Sequence, residues 1–224
     1  PGLLFAGAAI GVSHLVQSTR AGADFGFGLL WALILTNLFK YPFFLFGPKY
    51  AIATNESLLD GYFKLGKSFL VIYFVLTLVT MFTIQSAVTI VTAGLAIELF
   101  GITSNIKIWA FIILIFCCAI LLIGRYKLLD NFMKFVIILL TLSTFLAVLF
   151  AGFSSPNNLN IIQVFPKDSI SIAFLVAFMG WMPAPLDISI WQSIWTLEKK
   201  KKDKKINPKD ISFDFNVGYI TTVI

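Results

Sequence analysis

The sequence predicts an all-α integral membrane protein, and two observations carry that prediction. Hydrophobic residues make up 58% of the 224 residues, charged residues only 12%, and the mean hydropathy is +0.91, whereas a soluble domain has about 25% charged residues. The apolar residues are also collected in stretches long enough to cross about 30 Å of hydrocarbon, which takes about 20 helical residues. Helices are expected because a helix satisfies its own backbone hydrogen bonds inside lipid.

Six apolar stretches and the start of a seventh follow one another along the chain. They cover about residues 2–24, 27–48, 68–99, 107–124, 132–153 and 169–195, and the seventh begins near Ile211. The third is long enough to be tilted or to project beyond the bilayer. The chain opens on proline and stops inside the apolar run YITTVI, so we expect it to be a piece of a longer protein.

The basic residues predict an orientation. With a cytoplasmic N-terminus, the even-numbered connections and a lysine-rich loop over 196–210 are cytoplasmic and hold 14 of the 17 lysines and arginines; Arg20, Lys107 and Lys167 remain outside. Cytoplasmic flanks favour Lys and Arg, so we predict a multi-pass protein of the cell membrane with its N-terminus inside. Charge placed in this way indicates membrane lipids as partners and argues against nucleic acid.

The sixth stretch contains the segment FMGWMPAPLDISIW, residues 178–191. A proline inside a helix removes a hydrogen bond and clashes with the preceding turn, at about 3 kcal/mol, and Pro183 and Pro185 stand two residues apart. Asp187 follows about 12 Å inward from Trp195, at 1.5 Å rise per residue. Acids at this depth mark transport pathways, so we expect an unwound middle that carries a functional carboxylate.

The first stretch is interrupted as well, near residues 11–14, where the chain reads GVSH. Corresponding interruptions in two halves of a membrane protein indicate an inverted-repeat secondary transporter, which binds its substrate at the broken helices. We therefore predict a leucine-transporter-like fold with spans one and six broken. Residues 1–153 form the first five-span repeat, and residues 154–224 begin the second.

Three segments resemble the Nramp family of proton-coupled divalent-metal transporters: PG at 1–2, the glycine-rich first stretch, and AGADFGFGLLWALILTNL at 21–38. When the chain is laid on the family without gaps, the motif DPGN of the first span falls on residues 11–14. The motif MPH of the sixth span falls on residues 182–184, which read MPA. The resemblance implies the Nramp fold and secondary metal transport, which makes the protein a symporter if protons are coupled.

The departures from the family imply a rebuilt site. In Nramp transporters the Asp and Asn of DPGN and the Met of MPH bind the ion; the matching positions are Gly11, His14 and Met182. The family's proton-handling histidine falls on Ala184, and a second one falls on Ser189. Family membership thus implies transport, while the cargo has to be argued from the residues present.

We predict that the rebuilt site binds a divalent metal ion. Its nitrogen and sulfur ligands favour a late transition metal over Mg²⁺ or Ca²⁺. Asp187 is the proton-coupling candidate as well as the nearest carboxylate, and Gly11, Pro183 and Pro185 are the helix-breaking residues. The predicted substrate-binding residues are Gly11, Ser13, His14, Met182 and Asp187.

Each of these residues also has a structural alternative. His14 can be a hydrogen-bonded residue of a packed span, Met182 an ordinary packing residue, and Asp187 the cap of the helix that follows Pro185. The polar residues of spans one to three, Gln17, Asn37 and Gln85, are expected to hydrogen-bond between helices. The lysine run 199–205 is expected to be solvated, with anionic lipid as an alternative contact.

Other functions stay open to different degrees. The same fold can carry another small solute, neutral or anionic, since helix N-termini at the breaks suit an anion, or it can serve a sensor that does not transport. An enzyme is not expected, because adjacent residues on a helix point about 100° apart and Ser13 and His14 cannot form a catalytic dyad. We expect no resident cofactor, only a transported ion, and the sequence leaves the oligomeric state open.

Overall fold

The computed structural model describes residues 1–11, 13–123, 126–154, 161–202 and 207–223, and in these ranges the chain is helical with no strand. The helices are α1 (Gly2–Ala9), a π-helical turn (Ser13–Gln17), α2 (Ser18–Phe25), α3 (Leu30–Thr54), α4 (Leu58–Leu65), α5 (Lys67–Phe100), α6 (Ile106–Ile123), α7 (Tyr126–Ser154), α8 (Ser169–Trp181), α9 (Ile188–Lys202) and α10 (Pro208–Val223).

Each predicted span overlaps one or more of these helices, and α4 lies between the second and the third span. Three helical segments of the described chain are long and apolar enough to cross a membrane: Leu30–Thr54, Lys67–Phe100 and Phe132–Phe150. The pair Gly2–Ala9 and His14–Phe25 passes the same test together, with a bend of 52°, and Ile106–Leu122 and Ser169–Trp181 are shorter apolar helices. The prediction of an all-helical membrane protein is confirmed, whereas the inverted repeat stays a prediction.

Two helices extend beyond the boundaries predicted for the span and the loop. The second span was expected to end at residue 48, yet α3 continues through Pro42 and Pro48 and ends where Asn55 adopts a left-handed conformation with φ of 60°. The loop predicted from residue 196 is also shorter, because α9 continues to Lys202. Cations in the last turn of a helix interact favourably with its dipole, so the lysines extend α9 instead of ending it.

The described chain divides into two compact units. The first comprises Pro1–Gly61 and Met133–Ile224, and the second comprises Tyr62–Phe132. Within the second, α5 and α6 pack through Ala93, Ala96 and Trp109, and the Trp109 ring stacks on Phe100 with centroids 5.3 Å apart. The two units are groups of residues that lie close together in space, so they do not test the predicted division into repeats at residue 153.

The first unit places α1, α3, α8, α9 and α10 around buried apolar residues. Glycines allow the closest approaches of its helices. A β-carbon on Gly218 of α10 would lie 2.0 Å from the carbonyl oxygen of Gly2, and one on Gly7 would lie 2.3 Å from the Cε of Met133. Small residues at such crossings let helix backbones approach closely in membranes.

Asp168 starts α8. It is the N-cap residue, and its carboxylate accepts a hydrogen bond of 2.9 Å from the Ser171 backbone N–H. That bond favours the ionised form and holds the pKa of the exposed Asp168 carboxyl below its usual value. The cap fixes the start of the helix that runs to the second interruption.

Candidate functional site

The first interruption separates α1 from the π-helical turn. The Ile10 N–H still donates to the Ala6 carbonyl at 2.8 Å, but the Gly11 N–H turns back to the Ala9 carbonyl at 2.9 Å. The Gly11 carbonyl then accepts from the backbone N–H groups of His14 and Leu15, both at 3.1 Å. Gly11 therefore lies between the two helices, and its carbonyl starts the next helical turn. Val12 and the Ser13 side chain lie outside the described residues.

The second interruption covers residues 182–187, between α8 and α9. The Met182 N–H still bonds the Phe178 carbonyl at 3.2 Å, and then Pro183 and Pro185 bring no backbone donor; the Met182–Pro183 peptide bond is cis. The next helix begins where the Asp187 carbonyl accepts from the N–H groups of Ile190 and Trp191, at 3.0 and 3.1 Å.

One buried apolar cluster joins the two interruptions. Ala9 ends α1, Ala184 lies inside the second interruption, and both belong to this cluster, which α3, α9 and α10 complete. Its buried members are Phe5, Ala9, Phe44, Ala184, Ile188, Phe215 and Tyr219. The walls next to both interruptions are therefore apolar, and a polar atom buried there is costly unless it has a hydrogen-bond partner or a bound ion.

His14 is tied to α10. Its ring Nε2 lies 3.1 Å from the Thr222 carbonyl oxygen, so the ring N–H donates there, and the Ala9 backbone is a second partner of the ring. The Thr222 hydroxyl donates to the Tyr219 carbonyl at 2.6 Å, and the Tyr219 hydroxyl donates to the Asn37 carbonyl at 2.6 Å. This chain of bonds links the π-helical turn, α10 and α3.

Met182 is 2% exposed and packs in a second apolar cluster with Ala21, Leu29 and Phe178. Its side chain thus contacts α2, α8 and the start of α3, whereas the His14 ring is bonded to α10. The inverted-repeat arrangement predicts that these two side chains face each other across a central cavity, and this remains a prediction. The thioether position is set by apolar packing next to the interruption.

Asp187 is partly exposed, and no described residue forms a hydrogen bond or an ion pair with its carboxylate. Its place directly before α9 is that of an N-cap, yet the N–H groups of Ser189 and Ile190 bond the carbonyls of Leu186 and Asp187 instead. The Ser189 hydroxyl donates to the Phe43 carbonyl at 3.2 Å. The Asp187 carboxylate therefore has bonding capacity left for a cation or a proton.

Lys40 is the residue that the sequence analysis missed. Counted there as a cytoplasmic flank, it lies within α3, half-buried. Its ammonium donates three hydrogen bonds at the C-terminal end of α8, the first half of span six. The acceptors are the carbonyls of Met179 at 2.8 Å, Gly180 at 2.9 Å and Met182 at 2.6 Å. The available signal was a lysine inside an apolar stretch, where charges are costly and functional.

Buried oxygen atoms without a protein partner form a further feature of the described chain. They are Gln17 Oε1, Thr36 Oγ1, Asn37 Oδ1 and Gln192 Oε1. The side-chain amides of Asn37 and Gln85 were predicted to bond between helices, but Asn37 Nδ2 donates to the Leu33 carbonyl and Gln85 Nε2 to the Thr89 hydroxyl, each four residues away in its own helix. Helix geometry offers these amides a nearer acceptor than a neighbouring helix does.

No group of three or more His, Cys, Asp or Glu residues within the described ranges could hold a metal ion. An ion bound near the interruptions would therefore have at most two ligands of these types from the described residues and would also need carbonyl, amide, hydroxyl or thioether groups.

The chain was compared with known protein families and proteins. Residues 2–224 match the family described as natural resistance-associated macrophage protein-like, or Nramp. The chain belongs to the Nramp family. Nramp membership confirms the resemblance found in the sequence and makes the chain part of an integral membrane protein, in a family of metal-ion transporters.

An uncharacterized protein of Pasteurella multocida (strain Pm70) is 38% identical to this Nramp chain over 228 residues, which cover 100% of the chain and 52% of the relative. The chain thus spans about half the length of the curated relative that it matches. No solved structure matches it.

Proposed function

We propose that this Nramp chain forms the broken-helix region of a secondary active transporter that moves a divalent metal ion across the cell membrane, a transition metal in preference to Mg²⁺ or Ca²⁺. One observation carries the proposal: the end of α1 and the 182–187 interruption share a buried cluster, through Ala9 and Ala184. Paired helix interruptions near the membrane midplane are where inverted-repeat transporters bind substrate.

The proposed ligands are the thioether of Met182, the imidazole of His14, the hydroxyl of Ser13, the carbonyl of Gly11 and the carboxylate of Asp187. The buried position of Met182 beside the interruption supports a soft ligand, and sulfur and nitrogen favour late transition metals. To bind a metal through Nε2, His14 has to exchange its bond to the Thr222 carbonyl for the metal.

Proton coupling through Asp187 is part of the proposal. Its carboxylate has no partner among the described residues, so it can release a proton when a metal binds and take one up when the site empties. The proposal also includes a cytoplasmic N-terminus, from the lysine distribution, and a second inverted repeat beginning near α8.

A second candidate is a transporter of the same fold for a small neutral or anionic solute. Two observations favour it: the described chain lacks a cluster of three strong metal ligands, and Lys40 places a fixed positive charge at the second interruption. A cation bound close to that ammonium would be repelled.

Uptake into proteoliposomes containing the full-length protein distinguishes the two. We expect Mn²⁺ or Cd²⁺ uptake above that of empty vesicles, stronger than Mg²⁺ uptake and stimulated by an inward proton gradient. Absence of uptake for every divalent metal, with purified protein that is folded, would reject the metal proposal in favour of the second candidate.

A further inference from the structure

The end of α8 presents three carbonyl oxygens to a single positive charge. The last four carbonyls of a helix have no partner within it. At the end of α8 a further donor is missing. The Met179 carbonyl would accept from the N–H of residue 183, but residue 183 is a proline and has none. The carbonyls of Met179, Gly180 and Met182 instead surround the Nζ of Lys40 at 2.8, 2.9 and 2.6 Å.

An ammonium group matches this arrangement in number and in sign. It has three donors and no acceptor, so the three carbonyls satisfy it completely. The C-terminal end of a helix also carries about half a negative charge, which favours a cation. Both partners would otherwise be costly inside a membrane, since an unpaired charge at the centre of a span costs several kcal/mol.

The same arrangement of oxygens is one that a dissolved monovalent cation could use. In transporters with discontinuous helices, unwound carbonyls and the C-terminal ends of half-helices coordinate Na⁺ or H⁺. Carbonyl oxygens replace the hydration shell of an alkali ion in the same way in channels. At the end of α8 the Lys40 ammonium lies where such an ion would bind.

We propose that Lys40 is a built-in cation: its ammonium occupies a monovalent-cation site at the C-terminal end of α8 and so holds the second interruption without Na⁺ or K⁺. The site takes an alkali ion only when the lysine is removed. This inference does not depend on the proposed cargo, because it concerns the stability of the interruption and not the ion that is transported.

The test is thermal unfolding of the purified full-length protein in detergent, with N-methyl-D-glucamine chloride exchanged for LiCl, NaCl or KCl at constant ionic strength. We expect the Tm of the wild type to be the same in all four salts. Lys40→Ala should lower the Tm by roughly 5 °C in N-methyl-D-glucamine chloride, and Na⁺ or K⁺ should restore most of that loss saturably. Lys40→Met should lower the Tm without any recovery, because its side chain fills the site and lacks the charge.

Lys49→Ala is the matched control, since Lys49 lies exposed on the same helix, and it should behave as the wild type. A saturable Na⁺ or K⁺ effect on the wild type, or equal salt responses of Lys40→Ala and Lys40→Met, would overturn the proposal. So would a Lys40→Ala protein that is folded and indifferent to salt.

A measurement on the wild type keeps the proposal testable if the variants do not fold. Reductive methylation followed by mass spectrometry should modify Lys40 at least tenfold more slowly than Lys49, with the same rate in Na⁺ and in N-methyl-D-glucamine. Equal rates for the two lysines, or a Lys40 rate that changes with Na⁺, would contradict a built-in cation.

Discussion

Gly47 on α3 and Ser189 on α9 lie in direct contact: a β-carbon on Gly47 would stand 2.4 Å from the Ser189 carbonyl oxygen. The Ser189 hydroxyl donates to the Phe43 carbonyl one turn earlier on α3. Span two therefore touches the second half of span six, backbone to backbone, next to the candidate site.

Gly47→Ala should destabilise the protein by about 1–3 kcal/mol, because the added methyl group meets backbone that cannot move aside as a side chain can. Thermal unfolding in detergent measures the loss. Gly94→Ala on α5 is the control, since a β-carbon there has no neighbour within 4 Å, and its stability should stay within about 1 kcal/mol of the wild type. Equal stability of both variants would mean that the α3–α9 contact is looser than described.

Met182→Leu should separate packing from metal binding. Leucine conserves the apolar volume, so the unfolding free energy should change by less than about 1.5 kcal/mol. The thioether is lost, and uptake of the soft ion Cd²⁺ should fall at least tenfold relative to Mn²⁺ uptake. An unchanged ratio of Cd²⁺ to Mn²⁺ uptake would leave Met182 with a packing role only.

His14→Gln retains an N–H donor at nearly the position of Nε2 and should keep the hydrogen bond to Thr222. We expect it to fold and to lose uptake of late transition metals, because an amide nitrogen does not bind them. His14→Leu also leaves the Thr222 carbonyl without its donor and should cost a further 1–3 kcal/mol, roughly, in unfolding free energy. Normal uptake by the folded His14→Gln protein would assign His14 to structure alone.

Asp187→Asn should keep the fold, since the amide has the shape of the carboxylate, and should abolish uptake or its dependence on pH. The capping alternative makes the opposite prediction, because Asn caps helices nearly as well as Asp. Uptake is measured in proteoliposomes between about pH 5.5 and 8. Wild-type rates over that whole range would show that the Asp187 charge has no part in transport.

The sequence was sufficient to predict an all-helical membrane protein, because apolar length is a local signal, while the broken spans one and six stay a prediction. It failed where distant atoms decide local structure. Pro48 does not end α3, and the lysines do not end α9. Lys200 of α9 donates to the Ile52 carbonyl at 3.0 Å and to the Asn55 side chain, at the end of α3.

For the candidate site, the sequence indicated positions along the chain but not the contacts that their side chains make. The motif positions placed Gly11 and Met182 at the interruptions, where the structure has them. Composition could not reveal that the ammonium of Lys40 turns toward α8, because that depends on how α3 packs. Nor could it show that Gly7 lies inside α1 and makes room for Met133.

Span two has a mechanical consequence for span six. Lys40 fastens α3 to the end of α8, while Ser189 and Lys200 fasten the same helix to α9. The two halves on either side of residues 182–187 are therefore bonded to one continuous helix, and we expect them to move together with it. A hinge at residues 182–187 would have to break the hydrogen bonds that join α3 to α8 or those that join α3 to α9. When the transporter changes the side from which its site is open, we therefore expect the bending to occur elsewhere in the chain.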